Sequence, residues 1–347
     1  MKFSFQKITK IALVLVYLVI VAGALVRMTG SGMGCPDWPR CFGYYIPPTD
    51  ISELMWSPNH EFEKGQVIIQ DEKLFVAKQT FTTGTAFEGD NWELYTKHNY
   101  AEFNPMHTWV EYLNRLVGAL AGVAVFVMAV ASLTLWRKKT NVILLSWVAV
   151  FLMGFQAWLG ATVVYSVLNP VKITVHMVMA LVIVALLLYI LDRAKDITVI
   201  LPKLKYDKLF NSLLIISITL TLVQVVLGTQ VRQFVDERVK MLGYENMHLV
   251  LDNPLISFYF HRTFSFAVFG INLWIYLRNK KLGLGYNKTI WVMWILVAEI
   301  ISGIAMCYLD FPFGMQTTHL VAASVLFGLQ FYMILESRRN TKVILNS

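Results

Sequence analysis

The sequence predicts an all-α integral membrane protein of eight transmembrane helices, arranged as two pseudo-symmetric four-helix bundles with a long outer-face segment between helices 1 and 2. Three observations predict it. The 347 residues are 56% hydrophobic and only 15% charged, which does not describe a water-exposed surface. Eight stretches approach the run of about 20 apolar residues that a helix needs to cross a bilayer. Motifs in the first four of these recur in the last four. The same composition excludes a disordered chain, a secreted disulfide scaffold and a nucleic-acid binder. With 3 Cys the chain holds at most one disulfide and no cysteine-rich metal cluster.

In order, the expected spans are 11–27, 109–135, 142–164, 172–191, 209–230, 256–277, 289–309 and 317–335. Lys2, Lys7 and Lys10 precede the first, which is continuous with the later architecture and poor in small-residue cleavage sites, so it is kept as a helix rather than a signal peptide. Basic residues set the orientation. Arg137, Lys138 and Lys139 follow helix 2; Arg193, Lys195, Lys203, Lys205 and Lys208 follow helix 4; Arg278, Lys280 and Lys281 follow helix 6; Arg338, Arg339 and Lys342 close the chain. All fall on the side of the N-terminus. The opposite side carries segment 28–105, with 11 acidic against 5 basic residues, and short, nearly uncharged connections near 165–171 and 310–316. Short cytoplasmic loops collect Lys and Arg, so both termini are expected in the cytoplasm of a multi-pass cell (inner or plasma) membrane protein. The net charge of +8 then reflects topology in lipid rather than an anionic partner. Within the outer segment, 66–83 alternates enough to allow a hairpin, and 44–103 either caps a site or folds as a small lid.

The repeat divides the chain into an N-terminal half, 1–200, and a C-terminal half, 201–347. Gly23-Ala-Leu-Val-Arg27 reads like Gly228-Thr-Gln-Val-Arg232, and Glu111-Tyr-Leu-Asn-Arg115 aligns with Phe258-Tyr-Phe-His-Arg262. Gln156-Ala-Trp-Leu-Gly160 matches Glu299-Ile-Ile-Ser-Gly303, and Thr174-Val-His-Met-Val178 matches Thr317-Thr-His-Leu-Val321. Four helices separate the copies, so they insert with the same orientation.

Of the 7 His, His60, His98 and His248 lie in outer loops and read as ordinary polar surface. His107, His176, His261 and His319 begin the even-numbered helices, near the outer leaflet. Ionisable groups in a span are costly and face the bundle interior, which makes each a candidate site residue. An interhelical hydrogen bond is the plain alternative for any one of them. As a pair at matched depth, His261 and His319 suit bis-imidazole ligation of a heme iron between facing helices. Zinc is less attractive, since no third or fourth Cys, His or carboxylate is expected beside them. Arg27, Arg115, Arg232 and Arg262 recur at outer helix ends, where they either hold heme propionates through a fixed fork of donors or snorkel to lipid phosphate.

The halves differ where chemistry is expected. The second has His261; the first has Asn114, a poor iron ligand, and Glu111 where the second has Phe258. His107, Glu111 and Asn114 share one stripe of helix 2. One half therefore resembles a saturated redox site, and the other has a carboxylate and incomplete ligation. Glu111 pairing with Arg115 one turn on is the structural alternative. Cys35 and Cys41 sit in Gly30-Ser-Gly-Met-Gly-Cys-Pro-Asp-Trp-Pro-Arg-Cys-Phe-Gly43, where an oxidising compartment allows either a static disulfide or a pair that cycles. Cys307 reads as a buried apolar residue.

These residues together resemble the heme A synthase family over nearly the whole chain. The resemblance implies oxidation of the C8 methyl group of heme O to a formyl group, an oxidoreductase acting on a CH or CH2 group with water as oxygen source, yielding heme A for cytochrome oxidase. It implies a heme b cofactor on His261 and His319 in the C-terminal half, and heme O in the N-terminal half with Glu111 as the reacting carboxylate and His176 as an iron ligand. Asn114 departs from the family's common pattern, which has His there; His107 compensates or the substrate iron is five-coordinate. Cys35 and Cys41 match a cysteine pair found in part of the family. Heme O synthase, cytochrome oxidase assembly factors and a second copy of the chain are the expected partners. A cytochrome b-like electron carrier and a heme-transfer or assembly protein are the competing readings.

Overall fold

Residues 4–98, 100–195 and 204–345 are described in the structure, a computed structural model. Eight long helices follow the apolar runs: α1 (Phe5–Met28), α2 (Pro105–Ser132), α3 (Thr140–Tyr165), α4 (Pro170–Ala194), α5 (Lys208–Leu242), α6 (Ile256–Leu282), α7 (Lys288–Tyr308) and α8 (Met315–Leu345). Their starts are written locally. Pro105 and Pro170 occupy first helical positions, where the missing N–H is tolerated. The preceding Asn104 and Asn169 supply side-chain oxygens that accept the N–H of His107 (3.2 Å) and Val171 (3.1 Å). Asp207 caps α5 by accepting the N–H of Phe210 at 2.7 Å.

Seven of these helices are long and apolar enough to cross a membrane, which makes the chain a multi-pass membrane protein. The exception is α6, whose length includes His261, Arg262, Asn272 and Arg278. α5 runs 12 residues beyond the expected end at 230. Beyond that point it is a polar helix, supported by an Arg232–Asp236 ion pair (2.6 Å) and a Gln233 to Glu237 hydrogen bond (2.8 Å). Lys2 and Lys203 lie outside the described residues, as do the expected division at 200/201 and the side chain of Lys342.

By compactness the chain falls into two units. One comprises Met1–Tyr17, Ala124–Leu152 and Met177–Ser347. In it α5 packs on α6 and α8, and α7 packs on the same two helices, around a core that includes Phe210, Leu214, Val268, Ile275, Leu296 and Met333. A polar knot ties three of them together. Ser217 donates to Asn272 Oδ1 (2.9 Å), and Gln330 Nε2 donates to Ser217 Oγ (2.9 Å). Such interhelical bonds satisfy polar groups that lipid cannot.

The other unit comprises Leu18–Val123 and Met153–His176. Its 29–104 segment adds a small β part to the helical chain. Strands β2 (Val67–Gln70), β3 (Lys73–Ala77) and β5 (Trp92–Leu94) form an antiparallel sheet, and β1 (Glu61–Phe62) pairs with β4 (Phe81–Thr82). The β2–β3 hairpin falls within the alternating stretch 66–83, and Asp71 and Glu72, both at positive φ, make its two-residue turn. Alternation puts Val67 and Leu74 on one face, against Cys35, Cys41, Phe42 and Leu54. Ile68 and Ala77 go to the other, against Phe62 and Trp92.

Candidate functional site

In the unit holding α5–α8, His261 on α6 and His319 on α8 face each other with ring centroids 6.3 Å apart and planes at 67°. A small residue on a neighbouring helix lies against each ring. A Cβ on Gly228 of α5 would stand 3.0 Å from His261 Cε1, and one on Gly303 of α7 would stand 3.8 Å from His319 Cε1. His319 Nδ1 is 2.9 Å from Glu299 Oε2 and 2.9 Å from Ser302 Oγ, so the outer nitrogen of the ring is oriented by a carboxylate one helix away. Gln224 donates to the His261 carbonyl at 3.0 Å, and His261 Nδ1 is buried with no hydrogen-bond partner among the described residues. A metal bonded to two imidazole nitrogens at about 2 Å each would hold the ring centroids roughly 6 Å apart, so the pair fits bis-imidazole ligation. Among the described residues no three His, Cys, Asp or Glu converge as a tetrahedral metal site requires. Arg262 lies over the rings of Phe258 and Tyr259, and Arg232 pairs with Asp236 and donates to Gln316.

In the other unit the disulfide Cys35–Cys41 closes a loop that sits on the first turns of α2. Gly34 makes the approach possible, since a Cβ there would fall 2.4 Å from the His107 carbonyl oxygen. Thr108 Oγ1 donates to the Gly34 carbonyl at 2.7 Å, and the Cys35 N–H donates to Glu111 Oε2 at 2.9 Å. Arg115 donates to Glu111 Oε1 (2.5 Å) and to the carbonyls of Asp37 (2.7 Å), Arg40 (2.8 Å) and Cys35 (3.3 Å). Asp37 accepts the N–H groups of Phe42 (2.6 Å) and Gly43 (2.8 Å), yet burial pushes its carboxyl above the ordinary carboxylate range. Glu111 is only 4% exposed. Each of its oxygens keeps a second lone pair beyond these contacts.

His176 on α4 is held by Gln156 of α3, whose Nε2 donates to the His176 carbonyl at 3.0 Å and stands 3.4 Å from the ring Nε2. A Cβ on Gly160 would meet His176 Cε1 at 3.4 Å. On α2, Asn114 Oδ1 is buried without a partner among the described residues, 3.9 Å from where a Cβ on Gly23 of α1 would stand. One packing relation thus recurs four times: Gly23 with Asn114, Gly160 with His176, Gly228 with His261, Gly303 with His319.

The expected residues therefore assemble as local groups. His261 meets His319, and Glu111 meets Arg115 and the cysteine loop. Arg115, expected beside a propionate, spends its terminal nitrogens on that loop and on Glu111. Arg27 stands in the last turn of α1. No described hydrogen bond joins the His107 ring to Glu111, Asn114 or His176; its backbone N–H is taken by Asn104. The sequence reading passed over Gln224, Ser302 and the roles of Gln156 and Glu299. A signal for three of them exists: Gln or Glu stands four residues before the glycine in Gln156/Gly160, Gln224/Gly228 and Glu299/Gly303, one helical face in each case. α1 has Val19 at that place before Gly23.

Comparison with known proteins fits this arrangement to a family. The sequence model of COX15-CtaA, described as cytochrome oxidase assembly protein, matches residues 6–331. The chain belongs to this family. Among its COX15-CtaA relatives is a heme A synthase of Flavobacterium johnsoniae, 21% identical over 92% of this chain and 94% of that protein. A heme A synthase of Wolbachia pipientis is 23% identical over 94% of this chain and 91% of its own length. A third, from Shewanella oneidensis, is 26% identical over 54% of this chain, and this match spans about half (46%) of that relative's length.

Proposed function

We propose that the protein oxidises the C8 methyl group of heme O to the formyl group of heme A, using a resident heme b to pass electrons onward. The observation that carries the reading is the contrast between its two imidazole sites. One pairs His261 with His319; the other sets His176 in the same compact unit as the buried carboxylate Glu111 and has Asn114 where a second imidazole would stand. The heme A synthase relatives, two of them matched along nine tenths of their length, support it.

The architecture in this reading is eight spans, α6 included, forming two four-helix bundles with the substrate in 1–200 and heme b in 201–347. Both termini face the cytoplasm of the cell membrane, by the positive-inside rule. Heme b, held by His261 and His319, supplies one-electron chemistry when bound. Glu299 and Ser302 fix the His319 ring, and Arg232, ten residues before the end of α5, and Arg262, in the second turn of α6, are the partners for its propionates. In the substrate site His176 holds the heme O iron, with Arg27 for a propionate. In the overall change the methyl group and one water would become the formyl group with release of four protons and four electrons, the electrons leaving one at a time through heme b to an external one-electron acceptor. Glu111, pinned between Arg115 and the Cys35 amide, presents a positioned carboxylate that steadies positive charge developing on that carbon or takes its proton. The cysteine loop is the clamp that keeps it there. Heme O synthase as donor and oxidase assembly factors as recipients complete the reading, with self-association of the chain.

Expression with a heme O supply, followed by chromatography of extracted pigments, tests it. Heme A or a hydroxylated intermediate is expected; heme b alone would make the chain an electron carrier. Glu111→Ala should keep the heme b spectrum and accumulate heme O, and normal heme A output from this variant would remove Glu111 from the reaction. His261→Ala should lose the low-spin heme b signal.

A further inference from the structure

The four glycine contacts give Asn114 a definite place. In the α5–α8 repeat, Gly228 of the first helix lies against His261 of the second, and Gly303 of the third against His319 of the fourth. In the α1–α4 repeat, Gly23 of the first helix lies against Asn114 of the second, and Gly160 of the third against His176 of the fourth. Asn114 therefore stands where His261 stands, and His176 where His319 stands. The His261 ring fills its place and reaches the opposite imidazole at a metal-bridging separation. Asn114 does not. Its side chain ends one atom short of an imidazole Nε2, its neutral amide is a poor iron ligand, and its Oδ1 is buried with no hydrogen-bond partner among the described residues. The only other imidazole on α2, His107, is seven residues away, which is roughly 10 Å along a helix, and its turn is pinned under Gly34 and Asn104.

We propose that Asn114 leaves the sixth coordination position of the substrate heme open and that this position binds a small exogenous ligand, either a diatomic molecule or a water that donates to the unpartnered Asn114 Oδ1. The inference rests on the reading that heme O binds at His176. The heme between His261 and His319 is closed on both faces and takes no such ligand. The buried Asn114 Oδ1 gives a water bound there an acceptor that an apolar wall would not, whereas carbon monoxide needs only the open position.

Carbon monoxide added to the reduced full-length protein, purified with heme O, is the probe. One carbon monoxide per chain is expected, with the low-spin heme b spectrum unchanged. Asn114→His should lose carbon monoxide binding and turn the substrate heme low-spin; Asn114→Ala should keep the binding, and the unchanged heme b spectrum shows that each variant is folded. A wild-type substrate heme that is already low-spin and ignores carbon monoxide overturns the proposal, and so does undiminished binding in Asn114→His. Failure of the underlying reading looks different: no heme O is taken up, or uptake survives His176→Ala.

Discussion

At the residue scale, Gly228 and Gly303 occupy matching places with unequal clearance. A methyl group on Gly228 would stand 3.0 Å from the His261 ring, closer than ordinary van der Waals contact, whereas one on Gly303 would have 3.8 Å. Gly228→Ala should displace the His261 ring and lower the heme b content and its low-spin signature, while Gly303→Ala should leave both near wild type; pyridine hemochrome assay and absorption spectra measure this. That His261 and His319 face each other was legible because ionisable groups in a span turn to the bundle interior. The glycines and Glu299 were not, because their meaning lies in the residue of another helix that they touch. Arg115 was read both as a propionate partner and as the partner of Glu111, and sequence alone does not choose between them. A terminal arginine looks the same in sequence whether it meets a propionate or, as here, three loop carbonyls and a carboxylate.

At the scale of elements, helix starts were written in plain signals such as Asn104-Pro105 and Asn169-Pro170, whereas the end of α5 was not, since apolarity stops near 230 but helical pairing does not. Asp207 shows what one capping residue contributes. It closes the first turn of α5 and holds Arg278 of α6 through two hydrogen bonds, at 2.7 and 2.8 Å. Loss of the cap alone costs about 1 kcal/mol, so Asp207→Ala should lower the thermal midpoint at which the heme b spectrum collapses. The Arg278 guanidinium holds the Asp207 carboxyl below its ordinary value. A depressed carboxyl stabilises the fold above its unfolded pKa and loses that contribution only as pH falls through its folded one. The deficit of the variant should therefore be the same at about pH 6 and about pH 8. A deficit confined to either pH would contradict this account of the pair.

At the scale of the whole molecule, the charge asymmetry makes a directional statement. A fluorescent protein fused to either terminus should fold and shine in the cytoplasm, and alkaline phosphatase fused there should stay inactive; an active phosphatase at either end would reverse the orientation. Seven of the eight expected spans and the hairpin near 66–83 were legible from apolar length and alternation. The sheet as a whole was not, because β1, β4 and β5 are two or three residues long and exist only through their partners. The low apolarity of α6 has a consequence for biogenesis. His261, Arg262 and Asn272 each make α6 a worse solute for lipid, where polar and charged side chains are costly. During synthesis α6 reaches the bilayer before α7 and α8 exist to receive it, so the translocation machinery must retain it or pair it with α5. A nascent chain released just after Gly285 should leave α6 outside the bilayer, open to glycosylation or protease, and one released after α7 should not. The polar side chains of α6 thus set the order in which this protein can be built.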